Sequence, residues 1–395
     1  MRHLVLTAVL VTALPMAALH ADNGSSLVLS SPTAAGQQDL TRYERFAQEL
    51  EAGLNARETA AFNQAFEPER FLSRVLSGLP ESRELDQVRD GMRQGLSKVG
   101  EAVLQRMSDD YAFKYLRSRE RNGNVALLYR VDLGDEGLNY MELETVEQGG
   151  ELRIVDWYDH ASAQTYSEAV RQALLVALPL DRGALERVFG INKADDRTVE
   201  QFLELARLQR ERRFDEWLAG YEKLAPEVRD SRIMVLLRVF NANSSGDEQA
   251  YREALAAAAQ QFGDRPEMAL LLVDHYLYNG EWDRAHEALD NLNRYTGGDA
   301  AIDGMRANIY LLAEDDAQAL TWAQRAIDGD ADYEEPYWTR LQANVNQGRF
   351  DAAVTDLEVL EQRFAYEFDV EQLASLDGYQ AFGRSAAFRE WARGQ

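Results

Sequence analysis

Residues 276–292 read YLYNGEWDRAHEALDNL, and residues 344–360 read NVNQGRFDAAVTDLEVL. In each stretch a glycine (Gly280, Gly348) is followed two residues later by an aromatic (Trp282, Phe350) and three further on by alanine (Ala285, Ala353). Gly246 shares the register: 280 − 246 = 34, and 348 − 280 = 68, twice that spacing. A single compact core does not keep such a register. A small unit stacked on copies of itself does, because each unit must offer its neighbours the same faces.

The register extends to apolar positions. Trp217, Tyr251, Ala285, Ala319 and Ala353 lie 34 apart. One helical turn on come Tyr221, Leu255, Leu289, Ala323 and Leu357, and one more gives Leu224, Ala258, Leu292, Ala326 and Leu360. Together they form the apolar stripe of a second helix in each unit. Leu205, Val239, Val273, Ala307 and Leu341 mark the first helix in the same way, and Phe214 shares the turn position of Trp282 and Phe350.

This pattern resembles the tetratricopeptide repeat, whose period is about 34 residues. Units at roughly 266–299, 300–333 and 334–367 match well. Units 198–231 and 232–265 are eroded: Trp217 and Tyr251 stand where the family prefers Ala, and Arg212 replaces the first glycine. Glu314 stands where a further glycine would complete the series, and Gly263, Gly297 and Ala331 occupy the family's terminal proline position. The resemblance implies an all-α helical solenoid over 198–367. Residues 368–395 would cap it, with Ser385 starting the last helix and Phe388 and Trp391 packing back. It also implies a groove lined by first helices that receives a peptide or protein segment. One groove position falls at Asp274, Asn308 and Gln342, with Tyr278 and Trp338 at neighbouring ones. Amides and a carboxylate between aromatics suit an extended peptide; equally, such residues are ordinary solvated positions on a helix.

The other half changes period. Residues 38–107 read as helical: Leu40, Tyr43, Phe46 and Leu50 recur at helical spacing, then Phe62 and Phe66, then Phe71, Leu72 and Val75 after Pro68. A longer helix is expected from about Ser82, with Gly91, Gly95 and Gly100 packing against a sheet. Residues 111–159 alternate instead, with turn signals at Asn122-Gly123, Gly134–Gly137 and Gly149-Gly150. The expected product is a four-strand antiparallel meander over 111–120, 124–133, 138–147 and 151–159, in an α+β domain spanning 38–165. That element order resembles NTF2-like or cystatin-like folds, in which a sheet wraps a helix. A helical connector follows at 166–197, where Thr198 and Gln201 suggest a capping box.

The chain has 395 residues, 46% hydrophobic, and carries a net charge of −25 from 67 acidic and 42 basic residues. So acidic a surface repels phosphate backbones, which argues against nucleic acid and favours a basic protein or peptide or a divalent cation, or simply confers solubility. Residues 1–21 read as a secretory signal: Arg2, an apolar run from Leu4 to Leu14, and small residues before cleavage after Ala21. Residues 22–37 read as a flexible linker, and no later segment is apolar enough to span a bilayer. The absence of cysteine excludes disulfides, thiolate metal sites and a cysteine nucleophile. No cofactor motif is present. Asp156, Tyr158, Asp159 and His160 cluster at the end of the last strand. There a carboxylate and an imidazole could act as base and acid, or merely begin a solvated loop.

The expected protein is an exported, soluble interaction scaffold of a bacterial cell envelope, periplasmic or secreted. Self-association through the C-terminal helices is a further possibility. The alternative is an enzyme or small-ligand carrier using a cavity in the α+β domain.

Overall fold

A computed structural model describes residues 34–394 except 78, 80–82, 106–110, 122, 135–136, 178–182, 184–185, 188–194 and 264. The signal, its cleavage point after Ala21 and most of the 22–37 linker lie outside the described residues. The linker's end is corrected: a helix begins at Ala34 and runs to Asn55. The chain divides into two compact units, with the division between Gly263 and residue 264.

In the first unit, helices Ala34–Asn55, Ala60–Ala65, Pro68–Leu76, Arg83–Leu96 and Val99–Leu104 precede an antiparallel sheet. The expected long helix from Ser82 is thus two helices. Gly91 and Gly95 have nothing within 4 Å of a Cβ position, so they do not mark sheet packing. Gly100 does mark a close approach, but to Thr59 and Asn63, and its N–H donates to Asn63 Oδ1 at 2.7 Å.

The sheet contains β1 (Ala112–Arg121), β2 (Asn124–Asp132), β3 (Leu138–Gln148), β4 (Glu151–Asp159) and β5 (Gln164–Thr165), in that spatial order. The four expected strands are present to within a residue at each end. The fifth was not expected, because two residues cannot show an alternation. It forms because Ser162 donates from both N–H and Oγ to Asp159 Oδ1, at 2.7 and 2.8 Å. That turn folds Gln164 back against Asp159.

Strand alternation sends Phe113, Leu127, Tyr129, Leu143 and Trp157 to the helix-facing side, where Phe62, Phe66 and Phe71 meet them. Far-separated ties fix the first helix on the sheet. Tyr129 OH donates to Ala47 O at 2.9 Å, and Asn55 exchanges two hydrogen bonds with the backbone of Phe113. The same core continues into helices Asp196–Arg210, Phe214–Tyr221 and Arg232–Ser245 through Phe202, Trp217 and Met234. The expected start at 198 therefore falls inside this unit. Asp195 rather than Thr198 caps that helix: its carboxylate accepts from Thr198 N–H at 2.7 Å, so the helix begins earlier.

One turn recurs at the 34-residue register. Arg212, Gly246, Gly280, Glu314 and Gly348 all have positive φ, between 55° and 75°. Each donates its N–H to the carbonyl three residues back. In four of the five turns the next residue (Arg213, Glu281, Asp315, Arg349) donates to the carbonyl five residues back, closing the first helix. All twenty stripe positions named for the two helices of the five units are buried. Glu314 and Arg212 hold a conformation that strains an L side chain. Glu314→Gly is therefore expected to raise the urea midpoint of the second unit by about 0.5–1 kcal/mol of stability, and Gly348→Ala to lower it by about 1 kcal/mol. Equal effects of the two substitutions would contradict this.

In the second unit, helices Ala269–Tyr278, Trp282–Thr296, Ala300–Leu312, Asp316–Gly329, Glu335–Asn346 and Phe350–Phe364 are followed by the short Val370–Ser375, Gln380–Gly383 and Ala386–Trp391. Ser385 caps the last, accepting from Phe388 N–H at 3.0 Å, and Phe388 and Trp391 join the cluster of Leu357, Leu360 and Phe382.

Candidate functional site

The expected groove residues at 34-residue spacing have different surroundings. Asp274 is 5% exposed, which removes it from any surface ladder. Asn308 is half-buried and accepts a hydrogen bond from the Thr339 hydroxyl, tying helix Ala300–Leu312 to Glu335–Asn346. Gln342 is half-buried and donates to Asn346 Oδ1 at 2.8 Å, and Asn346 donates to Asp316 at 2.8 Å. Asn308 thus links two helices, whereas Gln342 bonds within its own helix to Asn346, which makes the link to Asp316. Tyr278 and Trp338 are half-buried.

Sequence reasoning passed over Leu312, 34 residues after Tyr278 and half exposed, one of two exposed large apolar side chains among the described residues. The register held that signal. It also passed over the surroundings of Trp338. Tyr366 and Phe368 stand edge-on to its ring at centroid distances of 5.0 and 5.8 Å, and Phe368 meets Trp391 at 6.0 Å.

Arginines add a second periodic device. Arg306 donates to Asp290 at 2.6 Å and Arg340 to Gln324 at 2.5 Å, each sixteen residues back. In the first unit Arg238 pairs with Glu222 at 3.1 Å over the same interval. Arg340 also donates to Asp356, whose carboxyl burial pushes up and Arg340 holds down, with the upward push prevailing.

The β4 terminus differs from its expectation. His160 does not sit in solvent: it is fully buried, with its N–H donating to Tyr140 O. The carboxylate beside its ring is Glu142 of β3, with His160 Nε2 at 2.7 Å from Glu142 Oε1, rather than Asp156. Arg119 and Arg121 of β1 also donate to Glu142. Tyr158 lies directly across from Glu142, edge-on to His160 at 4.9 Å and under the Arg121 guanidinium at 4.6 Å. All of these lie on the sheet face opposite Trp157.

Asp156 is buried on that same face. It accepts from Ser167 N–H and Oγ at 3.0 and 2.5 Å, from Trp157 N–H at 2.9 Å, and from Arg74 at 3.3 Å. Burial dominates these donors and pushes its carboxyl up from 3.8 to about 6. A raised folded-state value favours the native fold when protonated, so this contribution is full below about pH 4 and is lost as pH rises through 6. The full difference is about 3 kcal/mol, at 1.36 kcal/mol per pH unit. Between pH 7 and pH 5 the wild type is expected to gain about 1–2 kcal/mol more stability than Asp156→Asn, read as the difference between two urea-unfolding series. Parallel pH profiles would refute the assignment.

No protein-family model matches the chain, and no curated protein matches it either. Among the described residues no helix is long and apolar enough to cross a membrane, and no group of His, Asp and Glu side chains is arranged to hold a metal ion.

Proposed function

We propose that the chain is an exported protein-interaction scaffold, in which tetratricopeptide-like helix pairs form a solenoid whose first helices receive a peptide segment of a partner. The observation that carries this reading is the shared turn: five residues at 34-residue spacing with the same positive φ and the same backbone hydrogen bond. Such repetition builds extended surfaces from equivalent positions, and Leu312, Asn308, Gln342 and Trp338 supply the apolar and amide groups that suit peptide recognition. The preceding helices and sheet follow the element order of NTF2-like modules, and the reading of residues 1–21 as a secretory signal suits the cell envelope. The small-ligand alternative gains nothing from the helix-facing side of the sheet, where Phe62, Phe66, Phe71, Leu143 and Trp157 pack on one another.

Affinity capture from envelope extract tests the proposal, with Leu312→Asp and Gln342→Arg beside the wild type; Asp274 is too buried to serve. The expected result is that both variants lose the same partner at least tenfold with their helical circular dichroism unchanged. A partner retained by both, or turnover of a small substrate with no partner, would overturn it.

A further inference from the structure

Beyond the last helix pair the chain assembles an aromatic shelf. Trp338 comes from helix Glu335–Asn346, and Tyr366 and Phe368 from the segment after Phe350–Phe364; the latter two rings lie nearly parallel, 19° apart at 6.1 Å. All three are half-buried, each keeping part of its ring at the surface. Carboxylates rim the shelf. Glu334 accepts from Tyr366 OH at 2.9 Å, while Glu367 and Asp369 are exposed on either side of Phe368. Residues 364–379 contain four acidic residues and no Lys or Arg. Arg363, the nearest base in sequence, is paired with Asp332 at 2.7 Å. One acceptor is unmet. Glu361 takes the Trp391 indole N–H on Oε2 at 3.1 Å, but its buried Oε1 has no donor among the described residues.

Aromatic faces attract cations through their quadrupole, and a flanking carboxylate strengthens the attraction. A neutral or acidic segment would meet these groups with repulsion or with unpaired carboxylates. We propose that this shelf docks a Lys or Arg side chain from an extended basic segment of the partner protein. The proposal rests on the scaffold reading and gives that partner its chemistry: cationic, with its charge held against the Trp338, Tyr366 and Phe368 rings and beside Glu367.

The test is a calorimetric titration of the mature chain at low salt with two ten-residue peptides, one Lys/Arg-rich and one with Glu at the same positions. The expected result is binding of the basic peptide alone, weakened at least tenfold by Trp338→Ala and by the exposed reversal Glu367→Lys; Asp369 is left intact because its carboxylate caps helix Val370–Ser375, accepting from Gln372 N–H at 2.9 Å. A remote double reversal of exposed carboxylates, Glu200→Lys with Glu227→Lys, is expected to change affinity less than twofold. Because Glu367 is exposed, its reversal tests the site even if Trp338→Ala perturbs folding. Equal weakening by the remote pair would mean only the general acidic field attracts the peptide, and overturns the site. No binding, or binding indifferent to the shelf variants, overturns it too. A partner captured through Leu312 and Gln342 alongside either result leaves the scaffold standing and removes only the shelf.

Discussion

Glu142→Ala is expected to destabilise the first unit by about 3–5 kcal/mol, because removing one member of a buried ionic group strands the charges around it. Glu142 has no exposed side-chain surface and is held by His160, Arg119 and Arg121. Burial alone would raise its carboxyl; the His160 and Arg119 contacts outweigh burial and hold it well below the ordinary value of 4.5. A depressed folded-state value stabilises the fold above about pH 4.5, and that contribution is lost as pH falls below it. The Ala variant should therefore lose most at neutral pH and converge on the wild type in acid. Glu142→Leu combined with Arg119→Met is expected to lose less than Glu142→Ala alone, since a cluster neutralised together leaves fewer stranded charges. Urea unfolding followed by tryptophan fluorescence measures all three. A cost below 1 kcal/mol for Glu142→Ala would show that the cluster does not depend on its carboxylate.

Trp157→Ala is expected to cost about 3–5 kcal/mol, the range for emptying a large aromatic site in a packed core. Its ring stacks on Tyr166 at 4.0 Å with 10° between planes, and meets Phe62 and Phe66 edge-on at 6.1 and 6.2 Å. One side chain thereby holds helices Ala60–Ala65 and Tyr166–Ala177 on β4. Trp157→Phe keeps part of the stack and should lose less than half as much. Near-ultraviolet circular dichroism of the Ala variant should fall out of proportion to the loss of one chromophore, because Tyr166 loses its ordered partner. An unchanged spectrum together with a small stability loss would place the packing elsewhere.

What the sequence disclosed follows from how local each signal is. Glycine turns and strand alternation act over a few residues, so β1 to β4 were legible nearly to the residue and the positive-φ turns at their 34-residue spacing were visible too. The helix break between Leu96 and Val99 and the two-residue β5 carry no periodicity, and neither was visible. Glu142 and His160 are eighteen residues apart and meet only through the register of β3 with β4, so the imidazole was assigned the wrong carboxylate. Asp274 read as a groove position because sequence gives no measure of burial. Of the candidate groove residues, Tyr278, Asn308, Trp338 and Gln342 are half-buried. Leu312 and Phe368 were missed: one was hidden by attention to polar residues, the other lay beyond the repeats.

The arginine ties bear on the order in which the chain assembles. They close loops of sixteen residues, whereas the bonds that seat the first helix on the sheet join residues 57 to 82 positions apart. Closing 82 residues rather than sixteen costs roughly 1.4 kcal/mol more in chain entropy, before any contact repays it. The helix pairs are therefore able to organise from neighbouring segments alone. The sheet itself joins only consecutive strands; what must await a distant return is the seating of helix Ala34–Asn55 on it, so folding speed is set by that long-range step rather than by helix formation.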